Sequence, residues 1–185
     1  MNQKISTKRI AMAGLLAALT AVGSSLRITI PVSIGGTSAF HLGNIFCALS
    51  GILLGPGLGG LAAGLGSAIY DMTIPAYVSE AWLTFLMKGA YAVATGLVVR
   101  KVKLGDYAKD LLGTIAGATT YAVLYLAKSF LKTVIVSGVA ADAAFAALAL
   151  KVPATLFNMA VAIIIAPVLS KAIRKALAQN HITLN

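Results

Sequence analysis

The chain of 185 residues is 59% hydrophobic and 11% charged, with a formal net charge of +10. Soluble domains carry about 25% charged residues, so this composition calls for lipid as solvent and excludes an ordinary soluble enzyme. The basic residues sit at the ends of apolar runs, as topology signals do, and not in an aromatic-interleaved stripe, which argues against nucleic acid as a partner.

The length fits one domain, residues 1–185, and the single cysteine, Cys47, excludes an intrachain disulfide. A spanning helix needs roughly 20 mostly apolar residues. Six candidates follow in chain order, which makes the expected fold an all-α polytopic membrane protein. The first covers Ile10–Leu26, behind Lys4, Lys8 and Arg9. That start imitates a signal peptide, but more apolar runs follow, so the helix is expected to stay. The second and third cover Leu42–Leu54 and Leu58–Tyr70, split by the breaker Gly55-Pro56-Gly57. Both are short, which fits two tilted helices or one bent re-entrant hairpin. The fourth covers Glu80–Val99, the fifth Lys109–Val134 and the sixth Val152–Leu177.

Charge bias sets the orientation. Lys4, Lys8 and Arg9, then Arg100, Lys101 and Lys103, then Lys171, Arg174 and Lys175 all fall on one face if there are six spans. That face, with both termini, is expected to be cytoplasmic in a bacterial plasma membrane. The outer connections are then Arg27–His41, Asp71–Val78 and Ser137–Lys151. The first holds Thr29-Ile30-Pro31-Val32 and Gly35-Gly36, the makings of a short hairpin or a lid.

Ala13, Ala17 and Ala21 form a small-residue stripe on the first helix, widened by Gly14 and Ala18. Such stripes let helices approach closely in lipid, either inside the protein or against a partner. Intramembrane polar groups are costly and face a cavity or the bundle interior. Glu80, Thr84, Lys88 and Tyr91 share one face of the fourth helix, and Tyr121, Tyr125, Lys128 and Lys132 one face of the fifth. Thr155 and Asn158 are three apart on the sixth, as are His41 and Asn44 at the start of the second. From the rise per residue, Lys88 lies about 12 Å, Lys128 about 13 Å and Asn158 about 9 Å below the outer helix ends. These positions predict one outward-opening pocket. The competing reading pairs Lys88 with Asp71 or Glu80 and lets Lys128 and Lys132 snorkel outward; Lys132 is expected to snorkel. Trp82 and Tyr77 are belt residues or pocket walls. His41 has no nearby His or Cys, so no metal site is expected.

The chain lacks a phosphate-binding G-x-x-x-x-G-K-[ST] loop, an H-E-x-x-H and a G-x-S-x-G, so it is not expected to hydrolyse ATP or act as an enzyme. Few carboxylates lie in the spans, which disfavours a proton-coupled carrier, and six spans are thin for a carrier built of two repeats.

Six helices with cytoplasmic termini, the alanine stripe, Phe40-His41-Leu42-Gly43-Asn44, the run Gly51-Ile52-Leu53-Leu54-Gly55-Pro56-Gly57-Leu58-Gly59-Gly60 leading to Gly64-Leu65-Gly66-Ser67 and Asp71, and Lys88-Gly89 stand together. With these features the whole chain resembles the substrate-binding S components of energy-coupling factor (ECF) transporters. The resemblance implies a vitamin or precursor bound near the outer face, under the loop joining the first two helices. It implies that the Ala13–Ala17–Ala21 stripe docks on a transmembrane coupling subunit driven by two cytoplasmic ATPases. ATP is then used by those partners, no cofactor is bound by this chain, and substrate is released inward by toppling. Pocket residues expected to face the vitamin are His41, Asn44, Trp82, Thr84, Lys88, Tyr91, Tyr121, Tyr125, Lys128 and Asn158. Pyridoxine-like or hydroxymethylpyrimidine-like rings come first, because Tyr121, Tyr125 and Trp82 can stack on them. Pantothenate comes next, because Lys88 or Lys128 can hold its carboxylate. A membrane-embedded enzyme would need a convergent acid/base or metal set, and a small oligomeric channel or exporter would need a polar stripe through the membrane. The polar groups otherwise favour the outer half; the fifth helix is the exception, with Thr114, Thr119 and Thr120 further in.

Overall fold

A computed structural model describes residues 6–32 and 36–184; Lys4 of the basic leader and Gly35 of the first outer loop lie outside these. Among the described residues, seven α-helices and one β-hairpin follow in chain order. Helix α1 (Thr7–Ser25) starts at Ser6, whose hydroxyl accepts the Arg9 N–H, and ends where β1 (Arg27–Val32) begins. Strand β2 (Gly36–His41) returns antiparallel, with Arg27 opposite His41 and Thr29 opposite Ala39. The connection between the first two helices is therefore a hairpin, one of the two forms expected of it.

Helices α2 (Gly43–Leu54) and α3 (Pro56–Met72) are separate helices that pack on each other, rather than one bent segment. Gly55 joins them at φ +79°, a left-handed conformation open to glycine, and Pro56 takes the first turn of α3, where its missing N–H costs nothing. Helix α2 is the central post: it packs against α1, α3, α4, α5 and α7, and ten of its twelve residues are buried. Its apolar circumference suits a helix enclosed on every side.

A 3-10 turn (Val78–Glu80) leads into α4 (Ala81–Lys101). Helix α5 (Asp106–Leu131) runs on through a π-helical turn (Lys132–Val136). A short helix, α6 (Ala141–Ala149), precedes α7 (Val152–Gln179). All six predicted helices are present within a few residues of their expected ends. Helix α6 and the hairpin qualify the all-α expectation.

The chain is a helical membrane protein. Three helical stretches, Val78–Lys101, Asp106–Val136 and Val152–Gln179, are long and apolar enough to cross a bilayer. Large apolar side chains cover the outside, Leu61, Leu65, Ile69, Leu86, Val123 and Ile164 among them. In water such a surface would aggregate; in lipid it is the expected exterior.

Close packing inside rests on small residues. A Cβ placed on Gly66 of α3 would run into the Ala17 carbonyl of α1 and lie 2.8 Å from the Thr20 Cβ. Ala13 and Ala17 pack half-buried against the core, so this part of the stripe serves contact within the chain. The neighbouring face, Ala11, Gly14 and Ala18, is exposed, and a Cβ on Gly14 would meet nothing within 4 Å.

Several threonine hydroxyls in the bundle are satisfied within their own helix, whereas the Tyr91 hydroxyl is buried without a hydrogen-bond partner among the described residues. Thr20, Thr95 and Thr114 each donate to the carbonyl four residues back in their own helix, as Thr120 does. Those hydroxyls face backbone rather than a conduit. Between α5 and α7, buried Asp110 accepts two hydrogen bonds from Arg174, at 2.6 and 3.0 Å, and one from Ser170 at 2.5 Å. A two-pronged guanidinium and a hydroxyl satisfy that carboxylate, which would otherwise be very costly so far from water.

Candidate functional site

A cavity of about 330 Å³ lies beneath the hairpin, walled by α2, α3, α4, α5 and α7. Its lining on α4 and α7 comes from their N-terminal halves, while the basic clusters that close α4 and α7 lie at the other ends.

Lys88 of α4 forms the floor. It is 4% exposed. Its Nζ donates to Asn44 Oδ1 on α2 and sits 3.7 Å above the centroid of the Tyr121 ring on α5. A neutral amide oxygen and a ring face thus hold a buried ammonium, by a charge-assisted hydrogen bond and a cation–π contact. Tyr121 is the middle of three rings. Tyr91 lies 6.2 Å away on one side and Tyr125 5.9 Å on the other, with planes within 25° and 21° of parallel. Tyr125 and Tyr121 line the cavity; Tyr91 is fully buried behind them.

One wall carries an ion triad. Glu80, at the head of α4, accepts hydrogen bonds from Lys128 on α5 and Lys132 in the π-helical turn. Lys151 donates to Ser129 Oγ at 2.6 Å. Asp71 at the end of α3 lies beside Thr84 on the opposite wall.

The hairpin is tied over this cavity on two sides. Arg27, the first residue of β1, donates to Tyr70 Oη at 3.2 Å and to Tyr77 Oη at 2.8 Å, with its guanidinium 5.0 Å from the Tyr77 ring centroid. Tyr77 Oη also bonds Thr37 Oγ1 of β2 at 2.7 Å. On the far side, Asn158 of α7 bonds the backbone of β2, and Phe157 meets Phe40 edge to face at 4.9 Å. His41 closes β2. Its Nδ1 accepts the Gly43 N–H at 3.2 Å. Burial, then the positive charges of Lys88 and Arg27, push its pKa well below the usual histidine value, so the ring is neutral with its proton on Nε2.

The structure brings most of the predicted site residues to this one cavity: His41, Asn44, Thr84, Lys88, Tyr121, Tyr125, Lys128 and Asn158. Trp82 is not among them. It is 63% exposed on the outside of the bundle, because two residues along a helix from Glu80 is the opposite face. Tyr91 supports the ring ladder from behind rather than lining the cavity. Lys132 turns to Glu80 instead of snorkelling, and Lys88 takes Asn44 rather than Asp71 or Glu80 as its hydrogen-bond partner. Arg27, Tyr70 and Lys151 are lining residues missing from the predicted set. A lone arginine in an outer loop without a basic cluster was the available signal for Arg27.

The arrangement suits capture of a small polar ring compound: an aromatic ladder, a fixed cation, and a strapped cover. Among the described residues, no group of three or more His, Cys, Asp or Glu side chains is placed to hold a metal ion.

The family model described as "ECF-type riboflavin transporter, S component" matches residues 4–175. A protein of Pyrococcus woesei, described as an "uncharacterized protein in gap 3'region", is 33% identical over 113 residues, 61% of this chain and 72% of that protein.

Proposed function

The chain belongs to the family of energy-coupling factor-type riboflavin transporter S components, and from that premise we propose that it captures a planar B-vitamin or vitamin precursor in the cavity beneath the hairpin. The family is one of transport subunits, not enzymes. Its members are multi-pass membrane proteins that work with a transmembrane T component and ATPase subunits. In our reading the partners are one coupling subunit and two cytoplasmic ATPases, the hairpin faces outward, both termini face the cytoplasm of a bacterial cell, and six helices span the membrane.

The carrying observation is the cavity floor, where Lys88, fixed by Asn44, lies against the Tyr121–Tyr125 ladder. Parallel rings with a cation at one end fit a planar heterocycle with a polar substituent. Pyridoxine-like and hydroxymethylpyrimidine-like compounds fit that description, the family's name adds riboflavin, and pantothenate offers a carboxylate without the ring. A channel finds little support, since Thr114 and Thr120 bond their own helix and Asp110 is tied to Arg174.

The test is direct titration of the purified chain with riboflavin, pyridoxine, hydroxymethylpyrimidine and pantothenate, by thermal shift and then calorimetry. One sub-micromolar, saturable ligand is the expected result. Conductance or turnover by the purified chain would overturn the reading.

A further inference from the structure

We propose that the ligand captured here is an anion: a heteroaromatic compound bearing a carboxylate or phosphate, with that group held at Lys88. This rests on the cavity being the vitamin site, and narrows it to a charge class.

The first ground is the charge of the lining. Five cationic side chains, Arg27, Lys88, Lys128, Lys132 and Lys151, face the cavity against two carboxylates, Asp71 and Glu80. Glu80 is already shared by Lys128 and Lys132. The potential in this partly enclosed space is therefore positive, and low-dielectric walls strengthen it.

The second ground is the place of Lys88. Its ammonium is buried, yet its partners are an amide oxygen and a ring face, both neutral. Among the described residues its Nζ makes no ion pair. A charge so placed is costly unless an opposite charge joins it. An ammonium has three donors, and Asn44 accepts one of them. His41, neutral with its Nε2–H left over, is a second donor lining the same cavity. Both ask for an acceptor. A neutral ring would fill the aromatic ladder but leave the ammonium with only the Asp71 carboxylate, beyond ion-pair distance, to offset its charge.

Lys128 competes less for this role, because it is ion-paired with Glu80 while Lys88, among the described residues, makes no ion pair. The geometry therefore directs the anionic group to the Lys88 end and the ring to Tyr121 and Tyr125. Ammonium is a point charge rather than a fork, so carboxylate and phosphate are both acceptable to it.

The experiment compares matched pairs that differ by one charged group. The full-length chain in nanodiscs is titrated calorimetrically with pyridoxine against 4-pyridoxate and pyridoxine 5′-phosphate, nicotinamide against nicotinate, and riboflavin against its 5′-phosphate. The expected result is that the best ligand is anionic and binds at least about tenfold more tightly than its neutral counterpart, the size of one charge-assisted hydrogen bond. The carboxylate and phosphate arms say which anion the site prefers. Lys88→Gln is expected to erase that gap by weakening the anion alone, Lys88→Arg to keep most of it, and Lys171→Gln, exposed at the far end of α7 from the cavity, to leave it unchanged. A neutral member binding as tightly as its charged partner, measured on the unaltered chain, overturns the charge inference while leaving the vitamin site standing. Binding by no member of any pair overturns both. A gap that survives Lys88→Gln removes Lys88 from the role.

Discussion

Asn158 holds His41 by the backbone: its Oδ1 accepts the His41 N–H at 2.8 Å, while its Nδ2 donates to Ala39 O at 2.8 Å. One side chain thus completes the outer edge of β2 as a neighbouring strand would, and joins the cavity's cover to α7. Asn158 is 6% exposed, so the pairing is made away from water, where unmade bonds are expensive.

Asn158→Leu is therefore expected to free β2 without unfolding the bundle. Two backbone groups would lose their partners, at about 1–3 kcal/mol, and ligand affinity should fall roughly tenfold or more. Hydrogen exchange is the check: amides at 37–41 should exchange faster, while those in α2 stay protected. Unchanged exchange at His41 would refute the clamp.

The reach of the sequence differs from element to element. Helix ends were legible because apolar runs stop at strong breakers, Gly55-Pro56-Gly57 above all. Lys88, Lys128 and Asn158 were placed together by rise per residue alone, since straight helices keep depth in register. Partners were not legible. That Lys132 turns inward depends on Glu80 arriving from another helix, and that Lys88 meets Asn44 depends on α2 being the central post. Neither fact has a local pattern. Helix α6 is nine residues of mostly alanine, too short for any hydropathy window to separate from its loop. Asn158 was read as a ligand contact; its spacing gave the right cavity, but only the register of β2 reveals what its amide holds.

Asp110 and Arg174 fasten α5 to α7, well away from the cavity. Asp110→Asn should cost about 2–3 kcal/mol, below the full value for a buried pair because Arg174 is 29% exposed. That corresponds to a melting temperature lower by about 5–10 °C. Ligand affinity at a temperature where the fold is intact should be unchanged. A double replacement, Asp110→Leu with Arg174→Leu, should recover part of the loss, since no buried charge is then left alone. Equal losses for the single and double variants would contradict this account.

His41 predicts a pH dependence. Its folded-state pKa lies below the ordinary value of 6.5, through burial and then through Lys88 and Arg27. Above about pH 6.5 the ring is neutral folded and unfolded, and the shift costs nothing. As pH falls below that point, the unfolded chain gains a proton that the folded chain refuses, so stability declines until the folded-state pKa is reached. Melting temperature should drop as pH falls below about 6.5, and His41→Gln should flatten that part of the profile. A wild-type profile that is flat or rising on acidification there would show that His41 is not the controlling group.

The exposed face of α1 bears on how the protein meets its partners. Because Gly66 of α3 is pressed to the Ala17 backbone, a bulky side chain at 17 is expected to disturb α1–α3 packing and to lower stability before it affects any partner. The unobstructed small residues are Ala11, Gly14 and Ala18, which lie on one side of the helix and face outward. If the coupling subunit docks there, Gly14→Trp should leave the melting temperature and ligand affinity near wild type, because its Cβ has open space. Substrate uptake in proteoliposomes with the coupling subunit and ATPases should fall at least about tenfold, since a small-residue contact between membrane helices depends on close approach. Ala17→Trp should instead lower melting temperature and affinity together. Full uptake by Gly14→Trp would move the docking surface off this face of α1, and a stable, ligand-binding but transport-dead Ala17→Trp would place it on the Ala13–Ala17–Ala21 side.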